Sequence, residues 1–256
     1  MMNEIKGKIM PGAGPFYFEG NQIGILMIPG GGGGTCADLK PLAEDLRKVV
    51  DYTIHIPLLP GIGTSPEDLR RTSIDDWNRA MEKEFNILRN KTEKIFLGGH
   101  SLGALLTLLF ATKRNDLNGI FTISAPVGLK GIAPKLVPIL KPFIKYHAIP
   151  SEKFREETGG KWVGYDKIPV NIVSKINKMI KELKAQLSTI TAPILLFQGR
   201  FDENIKGESM NYIYENINSS TKKKIWLEHS GHAILEIPDH DLIVKELLKF
   251  FKKNCS

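Results

Sequence analysis

Cysteine is almost missing from this sequence, with Cys36 and Cys255 the only two. Two cysteines cannot make the disulfide framework of a small secreted domain, and a reducing cytoplasm is the simplest compartment. Long apolar runs are missing too. The longest, Ile23–Ile28 and Ala104–Ala111, fall well short of the ~20 residues that span a bilayer. The N-terminal stretch MMNEIKGKIMPGAGPF has no apolar signal core, so no secretion signal is expected. No repeat and no long linker divides the chain. His229 and His232 are close in sequence but have no Cys or second His cluster beside them, so no metal site is expected.

What is present is ordinary globular composition. The chain has 256 residues, 42% hydrophobic and 25% charged, which suits one large domain or a domain with an insertion. The net charge is +7, and its placement matters more than its size. Residues 126–190 hold 12 Lys/Arg against 5 Asp/Glu, and the rest of the chain holds 23 of each. The excess is therefore a local surface property and not a nucleic-acid-binding charge.

Apolar runs rich in β-branched residues alternate with segments of helical period. Strands are predicted at Phe16–Glu19, Ile23–Ile28, Tyr52–Ile56, Lys94–Leu97, Gly119–Ser124, Ile194–Gln198 and Lys224–Glu228. The runs IGILMI, GIFTIS and PILLFQ are almost wholly apolar, as in parallel strands covered on both faces. Helices are predicted at Leu39–Val50, Ile74–Leu88, Leu102–Thr112, Met210–Ile217 and Leu242–Phe251. The fold class is α/β, a mostly parallel sheet with helices on both faces. Residues 126–190 break the rhythm. Pro126, Pro134, Pro138, Pro142 and Pro150 exclude one long helix through the first part. Val170–Leu187 then has one apolar side, with Lys175, Lys178, Lys181 and Lys184 among it. The expected organisation is a core of residues 1–125 and 191–256 with a basic helical cap inserted at 126–190.

The strongest motif is Gly99-His100-Ser101-Leu102-Gly103, a G-x-S-x-G pattern between a predicted strand and a predicted buried helix. A sharp turn there projects the serine Oγ above the sheet, and the small flanking residues permit close approach of helix and strand. Such a serine needs a base and an orienting acid, in the chain order Ser, Asp/Glu, His. The loop after Ile194–Gln198 supplies Asp202, with Glu203 as the alternative acid. The loop after Lys224–Glu228 supplies His232, with His229 as the alternative base. His232 follows Ser230-Gly231, a flexible turn able to reach back over the serine. His100 is expected to pack against neighbouring strands or loops. The oxyanion hole needs two donors. One is the N–H of Leu102, at the helix start. The other comes from the loop Gly30–Gly34, with Gly31 preferred and Gly32 the alternative. This loop ends Gly34-Thr35-Cys36 with no lysine, so it is not a nucleotide-binding P-loop. The chemistry needs no cofactor.

These stretches resemble the α/β-hydrolase superfamily, and more narrowly the small bacterial carboxylesterases and monoacylglycerol lipases of the thermostable-esterase type. The resemblance rests on PFYFEG, PGGGGGTCADLKPLAEDL, PGIGTSPEDL, DDW, GGHSLG, SAP, GRFDENI and SGHAI, spread over both halves of the sheet. It implies an α/β-hydrolase fold with Ser101 as nucleophile, Asp202 as acid, His232 as base, and Gly31 and Leu102 as oxyanion donors. It implies hydrolysis of short- to medium-chain carboxylic esters, with monoacylglycerols among the candidate substrates. The chain departs from the family at Pro29, where a histidine is usual, at Gly31, where a bulky residue is common, and at Ile62, where another histidine is usual. The glycine loop is one residue longer, so a mobile loop and a wider acyl pocket are expected.

The expected function is a serine ester hydrolase acting through an acyl-enzyme on a small-molecule ester. An acyltransferase or thioesterase would use the same triad, and a non-catalytic binding protein is the reading of a different class. No nucleic-acid partner is expected. The cap lysines suggest weak contact with anionic lipid.

Overall fold

The computed structural model describes residues 7–131 and 144–255. Pro134, Pro138 and Pro142 lie outside the described residues. The chain runs β1 (Phe16–Phe18), β2 (Asn21–Ile28), α1 (Lys40–Arg47), β3 (Tyr52–Ile56), α2 (Pro66–Arg71), α3 (Ile74–Arg89), β4 (Lys94–His100), α4 (Leu102–Ala111) and β5 (Gly119–Ile123). It continues with β6 (Tyr146–Ala148), α5 (Ser151–Glu157), β7 (Lys167–Pro169), α6 (Asn171–Gln186), β8 (Ile194–Gly199), α7 (Ser209–Asn216), β9 (Lys222–Leu227) and α8 (His240–Asn254).

Seven strands form one sheet in the order β1-β3-β2-β4-β5-β8-β9. Only β1 runs antiparallel, against β3. Every other neighbouring pair is parallel. The apolar runs are continuous because alternate residues feed two cores. On β2, Leu26 and Ile28 join one core while Ile25 and Met27 join the other. On β8, Ile194 and Leu196 go to the first and Leu195 and Phe197 to the second. The first core holds Trp77 and Phe85 of α3, Leu105 of α4 and Met179 of α6. The second holds Leu42 and Leu46 of α1 and Phe250 and Phe251 of α8. All ten residues of α4 are buried, so its apolarity on every side is a consequence of being enclosed.

Local signals set several helix starts. Ser73 caps α3 in a full capping box with Asp76. Ser65 caps α2, with Pro66 in its first turn. Between β5 and β8 stand α5, α6 and a small antiparallel hairpin of β6 with β7. Ile172, Met179, Ile180 and Leu183 bury one face of α6 against the first core.

Candidate active site

The Gly99-His100-Ser101-Leu102-Gly103 stretch is the turn from β4 into α4. Ser101 sits in it at φ 53° and ψ −115°, a conformation a non-glycine residue rarely adopts. The Ser101 N–H donates to the Ile123 carbonyl at 3.0 Å, which ties the turn to β5. Both glycines are sterically required. A Cβ on Gly99 would lie 2.5 Å from the Gly103 carbonyl carbon, and one on Gly103 would lie 2.5 Å from the Pro29 carbonyl oxygen. Real contacts of that kind do not occur, so only glycine lets α4 sit this close to β4 and to the end of β2.

Three loops at the C-terminal edge of the sheet converge on Ser101. His232 Nε2 lies 2.9 Å from Ser101 Oγ, and His232 Nδ1 lies 2.8 Å from Asp202 Oδ2. Both are within proton-transfer reach. The second Asp202 oxygen, Oδ1, accepts from the N–H groups of Asn204 at 2.9 Å and Ile205 at 3.0 Å. Burial pushes the Asp202 carboxyl up, but the His232 hydrogen bond and charge, with the two amides, outweigh it and hold Asp202 below the ordinary carboxylate range. The carboxylate is thus charged and has both oxygens occupied. Lys130 Nζ donates to the Asp202 carbonyl at 2.6 Å and fixes the backbone of the same loop.

Glu203 is exposed beside Asp202. His229 turns away toward Asp239, with its Nδ1 3.3 Å from Asp239 Oδ1 and its side chain 76% exposed. Asp239 also accepts from the His229 N–H at 2.9 Å and from Ser230 Oγ at 2.6 Å, so one buried carboxylate braces the loop that carries His232. Nothing in the sequence singled Asp239 out, because its partners are fixed only when α8 packs.

Gly31 and Leu102 meet. A Cβ on Gly31 would overlap the Leu102 side chain, whereas one on Gly32 would point into open space. Gly30 abuts Ser101, with its Cβ position 3.6 Å from Ser101 Cβ. Among the described residues neither the Gly31 nor the Leu102 N–H has a protein acceptor, so both donors stay available to a ligand.

The far end of the glycine loop, Gly33 to Thr35, is tethered to residues 163–165. The Gly33 carbonyl accepts from the Tyr165 N–H at 2.9 Å, and Thr35 Oγ1 donates to the Val163 carbonyl at 2.9 Å. The Tyr165 hydroxyl donates to the Gly61 carbonyl and accepts from the Thr64 N–H, both at 2.8 Å. One short stretch between β5 and β8 therefore clasps the loops after β2 and β3 together. Ile62 is buried in the first core.

A family model described as "Serine aminopeptidase, S33" matches residues 20–239. The chain is 30% identical over 247 residues to a thermostable monoacylglycerol lipase of Bacillus sp. (strain H-257), covering 96% of this chain and 97% of that one. It is 28% identical over 243 residues to a carboxylesterase of Bacillus subtilis (strain 168), covering 93% and 96% of the two. A solved structure from the work on LipS and LipT, two metagenome-derived lipolytic enzymes, superposes with a TM-score of 0.86 at 25% identity, covering 96% of this chain and all of that one. The family match spans the strand–turn–helix elbow and the loops that meet at Ser101, and on this ground the chain belongs to the α/β-hydrolase superfamily, in the S33 serine-hydrolase family.

Proposed function

We propose that the chain is a serine carboxylic-ester hydrolase with Ser101 as nucleophile, His232 as general base and Asp202 as the acid that orients the base. Ser101 Oγ attacks the ester carbonyl as His232 Nε2 takes its proton. The N–H groups of Leu102 and Gly31 hold the oxyanion. His232 then gives the proton to the leaving alcohol. A water deprotonated by His232 releases the acid from acyl-Ser101. Asp202 keeps the imidazole in the required tautomer and stabilises its charged form. The observation that carries this reading is the unbroken relay from Asp202 through His232 to Ser101, at 2.8 and 2.9 Å.

The substrates are short- to medium-chain carboxylic esters, monoacylglycerols included. The curated relatives, a monoacylglycerol lipase and a carboxylesterase, support this class. Residues 126–190 serve as a cap over a core made of residues 1–125 and 191–256. No helix among the described residues is long and apolar enough to cross a membrane. Two free cysteines suit a cytoplasmic setting. Contact of the cap with anionic lipid is weak and electrostatic. Lys178, Lys181 and Lys184 are exposed, while Lys175 turns inward and donates to the Leu69 carbonyl at 3.0 Å. The apolar face of α6 is already covered by the core and has nothing to insert.

Hydrolysis of an ester ladder from acetyl to palmitoyl, with a monoacylglycerol included, tests the assignment in wild type and Ser101→Ala. The variant is expected to fold and to lose ~10⁴-fold or more in kcat. A folded variant that keeps most of the activity overturns it.

A further inference from the structure

We propose that His100 is a positioning residue for the reaction: its Nε2–H holds the His232 backbone carbonyl and so keeps the base in register with Ser101. The proposal rests on the reading of His232 as the base. His100 Nε2 lies 2.7 Å from the His232 carbonyl oxygen. A carbonyl only accepts, so Nε2 carries the hydrogen and Nδ1 is the bare nitrogen. The two rings pack with centroids 5.2 Å apart at 46°.

Two further observations give this bond its weight. The first is the loop that it anchors. Among the described residues, the hydrogen bond that the backbone of residues 231–233 makes is the one from the His100 ring to the His232 carbonyl, so that ring is the tether at the base itself. That ring projects from the last residue of β4, which is paired on both sides, Gly99 with Ile28 and His100 with Ile123. Nucleophile and base are thereby referred to one rigid strand. The second is the cost accepted at the other nitrogen. His100 Nδ1 is buried with no partner, and Gly30 packs against it so closely that a Cβ there would lie 3.1 Å away. A residue present only to fill space would be apolar, because an unsatisfied buried nitrogen is destabilising. The hydrogen bond from Nε2 supplies the reason for a histidine. Burial, helped by the neighbouring His232, pushes the His100 ring far down to about 3. The tether therefore adds no positive charge beside the imidazolium that forms on His232 during turnover.

The test compares wild type with His100→Leu, His100→Gln and His100→Asn. Glutamine can present an N–H near the Nε2 position, and asparagine only near Nδ1. For each variant, kcat and KM are measured on one ester, with the rate of labelling by a fluorophosphonate and the melting temperature. His100→Leu is expected to lower kcat and the labelling rate together by about tenfold to a hundredfold, with KM almost unchanged. His100→Gln is expected to recover most of that loss and His100→Asn little of it. Glutamine no faster than asparagine, or a folded leucine variant with wild-type kcat, overturns the proposal. If the leucine variant does not fold, the glutamine–asparagine comparison decides. Wild-type protein that takes no label and hydrolyses no ester overturns the triad reading, and this proposal falls with it.

Discussion

His232 Nδ1 and Asp202 Oδ2 stand 2.8 Å apart, and the other Asp202 oxygen is held by the N–H groups of Asn204 and Ile205. The carboxylate is thus aimed from its own loop and not by the histidine alone. Asp202→Asn keeps the shape but puts an amide opposite Nδ1–H, which favours the wrong imidazole tautomer. A loss of ~10³–10⁴ in kcat is expected by analogy with the serine-protease triad, with little change in KM. Glu203→Gln, one residue on and exposed, is expected to stay near wild type. Steady-state kinetics of both variants separates the two carboxylates, and an impaired Glu203→Gln with an active Asp202→Asn would exchange their roles.

Asp38 follows the glycine loop, and its Oδ1 is buried without a partner. Burial pushes its carboxyl up to about 7. A carboxyl raised in the folded state is protonated in the native protein while the unfolded chain is already ionised. Its contribution to stability is therefore intact below the ordinary carboxylate value of about 4 and is lost as pH rises toward 7. Asp38→Asn removes the titration and keeps the size. The variant is expected to gain on wild type by ~1 kcal/mol or more above neutrality and by little near pH ~4. Urea unfolding at the two pH values checks it, and a gain independent of pH would refute the cause.

Tyr165 bridges the Gly61 carbonyl and the Thr64 N–H through one hydroxyl, both at 2.8 Å and both buried. Tyr165→Phe leaves an acceptor and a donor unsatisfied in a site the ring still fills. The expected loss is ~1–3 kcal/mol in denaturant unfolding. A loss below ~0.5 kcal/mol would mean that water replaces the hydroxyl without penalty.

Most of the sheet and the three loops around Ser101 were legible in the sequence. The strands β2, β4, β5 and β8 announce themselves as apolar runs because each lies between two cores, whereas β1 is a short, partly exposed strand and β9 begins with three lysines; Gly99 and Gly103 mark the elbow because no Cβ fits there. The start of α2 has only a local cap pattern, Ser65-Pro66 with Asp68 two residues on, in a helix too short to show a period. The three-residue strands β6 and β7 give no periodicity at all. The contacts of His100, Tyr165 and Asp239 were illegible for a different reason. His100 and Tyr165 join segments far apart in the chain, His100 to His232 and Tyr165 to Gly61, while Asp239 reaches back nine or ten residues across an irregular loop to Ser230 and His229, and no local spacing encodes such partners.

The glycine loop allows its positions to be told apart. A Cβ on Gly32 meets nothing within 4 Å, so Gly32→Ala has no steric reason to disturb the site and is expected to keep kcat within about twofold. A Cβ on Gly31 collides with the Leu102 side chain, the outer end of which can move while its Cβ, 3.2 Å away, cannot move far. Leu102 begins α4 next to Ser101, so that pressure is passed to the N–H groups of Gly31 and Leu102, the oxyanion donors of the proposed mechanism. A fall of about tenfold to a hundredfold in kcat is expected for Gly31→Ala, with the protein still folded. Gly103→Ala is of another kind, since its Cβ would meet the Ile28 and Pro29 carbonyls, backbone atoms with nowhere to go. That change should separate α4 from β2 and destabilise the whole fold. Melting temperature and kcat together sort the three: Gly32→Ala normal in both, Gly31→Ala slow but stable, Gly103→Ala unstable. A slow Gly32→Ala beside a normal Gly31→Ala would move the second oxyanion donor one residue along the loop.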